Sequence, residues 1–336
     1  MPEVSVIIPN YNREKLIPET LDSLFKQSLS DWEAIVVDDC SSDGSFRLLT
    51  EMAAVEPRLR VFQRQGRTKG GSACRNEGVK YARSEYVMFL DSDDLLAPSA
   101  LEERVRIIKN SPDEGFIVFM TQLFASTPGD SRLLWNVFTE GPDINRFLRF
   151  DIVWNISNPI WRREVLNKLG GFDDSCASFQ DWDLHVRALS SGIPYKKCNI
   201  VDHYYRRPPW ATDQISSVST SASHHLQSHE RLFVRTYKHL CSSVSVPAGT
   251  EKRMIGPFWW LAERWRKQGD IGQANKIWSH AYELGLCKRH HYYMGKMLYK
   301  MPGRIVGDKL RAAFHFIVPS IFVKLGSKTF NSVASG

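Results

Sequence analysis

The stretch Tyr86-Val87-Met88-Phe89-Leu90-Asp91-Ser92-Asp93-Asp94 decides how the chain is read. Its apolar run makes a buried strand, and the run ends in three carboxylates within four positions. Like charges held close repel, and a strand leaving a core gains no stability by collecting them. A divalent cation turns that repulsion into shared coordination. The plainer reading is a strand followed by an acidic turn and a helix N-cap, with Pro98 opening the next helix. The rest of the chain chooses between the two.

Upstream, residues 4–8 are rich in β-branched side chains and stop at Pro9-Asn10-Tyr11-Asn12. Leu16, Leu21 and Leu24 then recur at helical spacing over residues 13–27, with Asn12 as candidate cap. A second strand, 32–37, closes in Asp38-Asp39-Cys40-Ser41-Ser42-Asp43-Gly44, and a helix follows to about residue 55. A strand near 60–63 and a helix from Gly70-Gly71-Ser72 to Ala82 lead into the decisive stretch. Beyond it come a helix from Pro98 and a strand over 116–120. Strands alternating with helices over ~120 residues predict an α/β fold, a Rossmann-type, mainly parallel sheet with helices on both faces. Ligands of such sheets bind at the carboxyl ends of the strands. Pro9 with Asn12, Asp38 with Asp39, and Asp91 with Asp93 therefore face one rim, which favours a site over three separate caps.

Residues 121–155 show no regular pattern. Residues 163–169 read as a short helix stopped by Gly170-Gly171. Phe179-Gln180-Asp181-Trp182-Asp183-Leu184-His185 opens a helix to Ser190, and 195–206 reads as a further strand of the sheet. After Pro208-Pro209 the texture changes. Residues 216–236 are rich in Ser and His and then helical, and 258–269 with 273–285 form a helical hairpin carrying Trp259, Trp260, Trp265 and Trp278. One such hairpin does not make a repeat array, which needs about three units to bury a core; a helical C-terminal appendage is expected.

With 336 residues, 43% of them hydrophobic and 24% charged, the chain has the composition of a globular protein with a substantial core. The opening residues read as a strand rather than a leader, and no segment offers the ~18 unbroken apolar residues of a spanning helix. The six cysteines (Cys40, Cys74, Cys176, Cys198, Cys241, Cys287) are scattered without a CxxC pair, so reduced thiols in a cytoplasmic protein are expected. The net charge of +7 belongs to the tail. From Lys288 onward nine Lys/Arg face only Asp308, leaving residues 1–287 near −1. A near-neutral main region lacks the broad basic surface of a nucleic-acid binder, so no nucleic-acid partner is expected.

Residues 4–12 and Val37-Asp38-Asp39-Cys40-Ser41-Ser42-Asp43 resemble the opening of family 2 glycosyltransferases. Gly71-Ser72-Ala73-Cys74-Arg75-Asn76-Glu77-Gly78 and Phe89-Leu90-Asp91-Ser92-Asp93-Asp94 resemble that family's next two motifs, and Phe179-Gln180-Asp181-Trp182-Asp183 its later motif with the catalytic base. Order and spacing agree over residues 1–206. The resemblance implies a GT-A fold, a nucleotide-sugar donor, a divalent metal (Mg²⁺ or Mn²⁺) and transfer with inversion. It implies a nucleotide-sugar-binding half over 1–120, an acceptor-binding half over 121–207, and a helical region with a basic tail over 208–336.

The chemistry of the residues agrees. A departing nucleoside diphosphate concentrates negative charge, and an extended Asp91-Ser92-Asp93 places two carboxylates on one side. Oxygen-only ligands suit magnesium or manganese. By resemblance Asp93 is the firmest metal ligand; Asp91 is a second candidate that also faces the donor, as does Ser92, while Asp94 is either a further acid or a helix cap. A carboxylate at Asp39 suits the imide N–H of uracil, or caps the following helix; Pro9 and Asn12 lie beneath the nucleotide. Arg75 offers a fixed cationic fork to phosphate, or pairs with Asp39 or Asp91. Asp181 is the candidate general base, with a pKa that its helix start depresses unless Phe179 and Trp182 offset it. Asp183 and His185 read as structural.

The family pattern breaks at two points. Gln180 stands where a Glu is usual, and Tyr204-Tyr205-Arg206-Arg207-Pro208-Pro209-Trp210 lacks the His that often follows a Tyr-Arg pair, with His203 nearby reading as packing. The motif of processive polysaccharide synthases is absent, so one sugar per binding event is expected, from a UDP-sugar to a glycan or lipid-linked glycan in cell-surface polysaccharide synthesis. The apolar stretch 312–325, flanked by Arg311 and Lys324, reads either as an ordinary amphipathic helix or as peripheral contact of 288–328 with the inner face of a membrane. The competing functions are a nucleotidyltransferase, for which Asn10-Tyr11-Asn12 supplies no lysine-rich glycine loop, and a non-catalytic binding module.

Overall fold

The computed structural model describes residues 1–66, 68–135, 137–207 and 223–300. Eight strands form one sheet: β1 (Val4–Asn10), β2 (Trp32–Asp38), β3 (Leu59–Gln63), β4 (Tyr86–Phe89), β5 (Leu95–Leu96), β6 (Phe116–Phe124), β7 (Pro159–Arg162) and β8 (Tyr195–Arg206). Their order is β3-β2-β1-β4-β7-β6-β8-β5. The first four strands are parallel, as the βαβ alternation requires. β7 then runs antiparallel between β4 and β6, β8 lies parallel to β6, and β5 is antiparallel to β8. This is the GT-A-like α/β arrangement, a mostly parallel sheet with a mixed second half.

Side chains alternate across the strands and divide the core into two layers. Val4, Val6 and Ile8 pack with α1 (Ile17–Phe25) and α4 (Ala100–Lys109) on one face. Ile7, Ile35, Val37, Val87 and Phe89 pack on the other, with α3 (Gly71–Tyr81), α5 (Asp143–Phe147), α6 (Arg163–Lys168) and α7 (Gln180–Ser190). α2 (Ser45–Val55) contributes Leu49 to the first layer. The C-terminal helices α8 (Ser223–Ser242), α9 (Ile255–Lys267), α10 (Ile271–Glu283) and α11 (Arg289–Lys300) continue the second layer without a break: Phe233, Trp259, Trp260 and Trp278 belong to the same buried cluster as Trp154, Trp161 and Trp182.

One buried ion pair ties the sheet's second half to α4. Arg104, fully buried, donates from Nε and Nη2 to Asp202 of β8 at 2.6 and 2.7 Å, and from Nη1 to the Ser157 carbonyl at 2.8 Å. That bidentate geometry and the third bond satisfy nearly every polar group the pair buries.

Three local expectations fail. Asn12 does not cap α1, which begins a turn later around Pro18; Asn12 instead adopts φ 51. Asp94 caps no helix, because α4 begins at Ala100 behind Ser99. Residues 91–94 are a tight turn, with the Asp94 N–H donating to the Asp91 carbonyl at 3.1 Å, rather than an extended segment. None of the described helices is long and apolar enough to cross a membrane. The segment 312–325, most of 288–328, and Pro208-Pro209 lie outside the described residues. All six cysteines are unpaired.

Candidate active site

β1 and β2 end side by side, with Asn10 opposite Asp38. Asp38 is buried and accepts three hydrogen bonds. Its Oδ1 accepts from Asn10 Nδ2 at 2.8 Å and Ser41 Oγ at 2.6 Å, and its Oδ2 from the Ser41 N–H at 2.8 Å. Asn12 braces the same loop: its Oδ1 accepts from the Ser42 N–H at 2.8 Å, while its own N–H donates to Ser41 Oγ at 2.9 Å. Pro9, half-buried in β1 opposite Val37, lies beneath this loop pair.

Asp39 points the other way. Its Oδ1 pairs with Arg64, and its Oδ2 accepts from the Gly70 N–H at 2.8 Å. Arg64 follows β3 by one residue, so the strand-end rule places it on this rim, although the sequence reading passed over it. Gly70, at φ 106, occupies backbone space closed to other residues and caps α3. A carboxylate has about four acceptor positions, so Asp39 still has acceptor capacity beyond these two bonds.

From α3, Arg75 reaches across the rim. Its Nη2 donates to Asp91 Oδ1 at 2.7 Å and its Nη1 to Gln180 Oε1 at 2.9 Å. The fork thus joins the acidic turn to the residue preceding Asp181. Arg75 Nε and Ser72 Oγ are buried with no hydrogen-bond partner among the described residues.

The acidic turn is under-compensated. Asp93 has Arg13 Nε at 3.6 Å, and its carboxyl is pushed up to about 7 by burial, then by Asp94 and Asp91. Its side chain nonetheless keeps 28% exposure to the rim. Asp94 is buried, accepts from the Arg206 N–H at 2.9 Å and lies 3.2 Å from His203 Nε2; burial, then Asp91, hold its carboxyl well above the ordinary range. His203, pushed down to about 3 by burial and then Arg104, is seated between Asp94 and Thr121 Oγ1 at 2.8 Å. Arg206 donates to the Asp93 carbonyl at 2.8 Å and to Glu19 at 2.6 Å, which pins the turn from β8. Ser92 is buried within it.

Residues 5–170 match the family profile described as glycosyl transferase family 2. The chain belongs to the family 2 glycosyltransferases. Among curated family relatives, an uncharacterized glycosyltransferase of Haemophilus influenzae is 27% identical over 195 residues, 57% of this chain and 65% of that protein. The poly(ribitol-phosphate) beta-N-acetylglucosaminyltransferase TarS of Staphylococcus aureus is 35% identical over 122 residues, 36% of this chain and 21% of that one. The chain therefore spans between a fifth and two thirds of these relatives' lengths. Among solved structures, S. aureus TarS 1–349 in complex with UDP-GlcNAc has a TM-score of 0.66 at 20% identity, over 93% of this chain and 92% of that one. The mannosyltransferase PcManGT of Pyrobaculum calidifontis, in complex with GDP-Man and Mn²⁺, has a TM-score of 0.56 at 19% identity, over 95% and 82%. At these identities the structures establish the shared glycosyltransferase fold.

Asp181 lies in the first turn of α7, next to Gln180. Its Oδ1 accepts from the Trp182 N–H at 2.8 Å. Burial raises its pKa and Asp91 adds to the rise, against the Trp182 N–H and Arg75, which lower it. The expected depression by the helix start is thus reversed, because desolvation of a carboxylate outweighs a partial charge at a helix end. Asp183 is buried in ion pairs with Arg187 at 2.8 Å and Arg235 at 2.5 Å, and His185 is buried parallel to the Trp161 ring.

The donor set fits a hard divalent cation only in part. Asp91 and Asp93 supply oxygen atoms, and burial, then Asp94 and Asp91, raise the Asp93 carboxyl. Among the described residues no cluster of three or more ligating side chains exists. Magnesium-type sites commonly use one or two carboxylates and take the remaining ligands from substrate phosphate and water, which suits this pair.

Proposed function

We propose that this family 2 domain transfers one sugar, with inversion, from a nucleotide-diphospho-sugar, in the first instance a UDP-sugar, to a hydroxyl of a glycan or lipid-linked glycan in cell-surface polysaccharide synthesis. The observation that carries the reading is the Arg75 fork, which holds the acidic turn and the Asp181 segment on one rim at 2.7 and 2.9 Å. Donor and acceptor chemistry need such proximity, because transfer requires both reactants in one aligned encounter.

In this reading the remaining acceptor capacity of Asp39 takes the base N–H, and Pro9 and Asn12 shape the floor below it. Asp91, Ser92 and Arg75 face the sugar and diphosphate. Arg75 Nε and Ser72 Oγ, without a hydrogen-bond partner among the described residues, supply donors there. Asp93, with Asp91, would hold Mg²⁺ or Mn²⁺, whose charge stabilises a departing diphosphate. Asp181 takes the proton of the acceptor hydroxyl as it attacks from the face opposite the leaving group. A raised pKa strengthens it as a base, since proton affinity rises with pKa. Support for the donor class comes from TarS, solved with UDP-GlcNAc, and for the metal from the Mn²⁺ complex of the mannosyltransferase.

Thermal-shift titration with UDP-, GDP- and dTDP-sugars, each with and without Mn²⁺, tests the reading. Stabilisation by one nucleotide class that depends on metal is expected; no shift with any of them contradicts it. Peripheral attachment through the tail to a membrane's inner face is the corresponding proposal for location. Vesicle flotation that is unchanged on deleting residues 301–336 contradicts it.

A further inference from the structure

The chain reaches Asp181 through a constrained backbone. Phe179, two residues earlier, has φ 61. A bulky residue persists in that region only where its surroundings over-determine it. Here the surroundings are the C-terminal helices. The Phe179 ring lies 4.6 Å from His229 of α8 and 5.4 Å from Trp260 of α9, and stacks at 5.1 Å on Phe150, itself at φ 57.

One residue before Phe179, the buried Ser178 hydroxyl meets two imidazoles of α8. Its Oγ is 2.7 Å from His229 Nε2 and 3.0 Å from His225 Nδ1. Histidines four positions apart share one helix face, so a single face of α8 grips this hydroxyl. A hydroxyl has one proton and two lone pairs; between neutral imidazoles it donates to one ring and accepts from the other. Burial, then His225, pushes His229 down to about 3, and burial, then His224, lowers His225, so both rings stay neutral. On the far side of Asp181, Arg235 of the same helix bonds Asp183 at 2.5 Å and pairs with Asp173. α8 therefore holds the chain three residues before and two residues after Asp181.

We propose that Ser178, His225 and His229 are positioning residues for Asp181, and that α8 is a working part of the active centre rather than an appendage to it. The hydroxyl–imidazole grip sets the direction from which α7 starts, and with it the point on the rim where the carboxylate is presented. This inference rests on the reading of Asp181 as general base, and the experiment separates the two.

Turnover, by transfer or by hydrolysis, is measured with the fastest substrate among UDP-GlcNAc, UDP-glucose, UDP-galactose and GDP-mannose, alongside UDP binding with Mn²⁺. Ser178→Ala and His229→Leu are expected to lower kcat about 10- to 100-fold, the scale of a small misplacement of a catalytic group. KM for the donor and UDP affinity should not change. Loosening of the segment lets water reach Asp181, so the acid limb of the kcat–pH profile moves to lower pH. His229→Gln, which keeps a polar atom at the reach of Nε2, should restore most of the rate. Amide hydrogen exchange over residues 176–184 should quicken in Ser178→Ala while that of α8 stays as it was. If Ser178→Ala does not fold, His225→Leu reads the same quantities. Wild-type kcat and exchange in these variants, with Asp181→Asn inactive, overturn the positioning role and leave the base in place. Full turnover in Asp181→Asn overturns the base assignment itself.

Discussion

Two groups of charges lie in the same sheet, and they are treated in opposite ways. Behind the rim, Arg104 and Asp202 are fully buried and meet at 2.6 and 2.7 Å, with the Ser157 carbonyl taking a third N–H. At the rim, Asp91, Asp93 and Asp94 crowd one turn; Arg75 serves Asp91, and Arg13 stands 3.6 Å from Asp93, whose carboxyl is pushed up to about 7. Evolution of a fold for stability alone would give both groups the first treatment. An ion pair that closes on itself serves the structure. In the proposed reading, the carboxylate cluster at the rim takes its missing positive charge from a cation that arrives with the nucleotide.

Neutralising one acid of the rim should make stability and activity part company. Asp181→Asn should lower transfer by about 10²–10⁴ while nucleotide binding persists. Its folded pKa is raised by burial, so folding, which must bury its charge or protonate it, costs stability at any pH above the ordinary carboxylate range, and the cost is absent below that range. Asp181→Asn should therefore melt at a higher temperature than wild type at pH 7, and at nearly the same temperature near pH 3.5. Equal activity, or a lower melting temperature at pH 7, counts against the account.

Arg104→Met should show the reverse. Removing one partner strands a buried carboxylate at Asp202, which costs about 3–5 kcal/mol by denaturant titration. Whatever protein remains folded should bind UDP and Mn²⁺ as wild type does.

A smaller effect is expected at the junction between the two halves of the rim. Gln180→Glu puts a carboxylate where Arg75 now meets an amide at 2.9 Å. It competes with Asp91 for the fork and adds negative charge beside Asp181, which raises the Asp181 pKa further. With Asp181 as the proposed base, which must lose its proton to act, the acid limb of the kcat–pH profile should move up. A limb that stays put removes Gln180 from the electrostatics of the site.

The smallest effect concerns neutral groups. His185 is buried, has neither ring nitrogen hydrogen-bonded among the described residues, and is pushed down to about 3 by burial and then by Arg187. A histidine held below its unfolded value contributes stability that is present above about pH 6.5 and is lost as pH falls from there toward 3. His185→Phe should flatten the fall in melting temperature between pH 6.5 and 5; an unchanged slope shows that His185 does not contribute to it.

The contrast also marks what the sequence could show. β1 to β4 and the helices between them were legible, because β-branched runs, helical spacing and Gly70-Gly71 are local signals. β7 was not, since its four residues take their place only from pairing with β4 and β6. Asp91 and Asp93 were recognised as a pair through an extended geometry, whereas a turn brings them together. The Arg64 clamp on Asp39 and the Arg206 bridge to the Asp93 carbonyl join positions 25 and 113 residues apart. The direction of the Asp181 shift depended on burial in the folded chain, and the two histidines of α8 had no visible partner until Ser178 was placed beside them.

In the proposed function the acidic turn takes up a cation together with a nucleotide. The most direct measurement is the melting temperature of wild type and Asp93→Asn with Mn²⁺ alone, UDP alone and both. A large joint shift is expected in wild type and none in Asp93→Asn, whose unliganded melting temperature should match or exceed that of wild type. Equal joint shifts in the two proteins would contradict it.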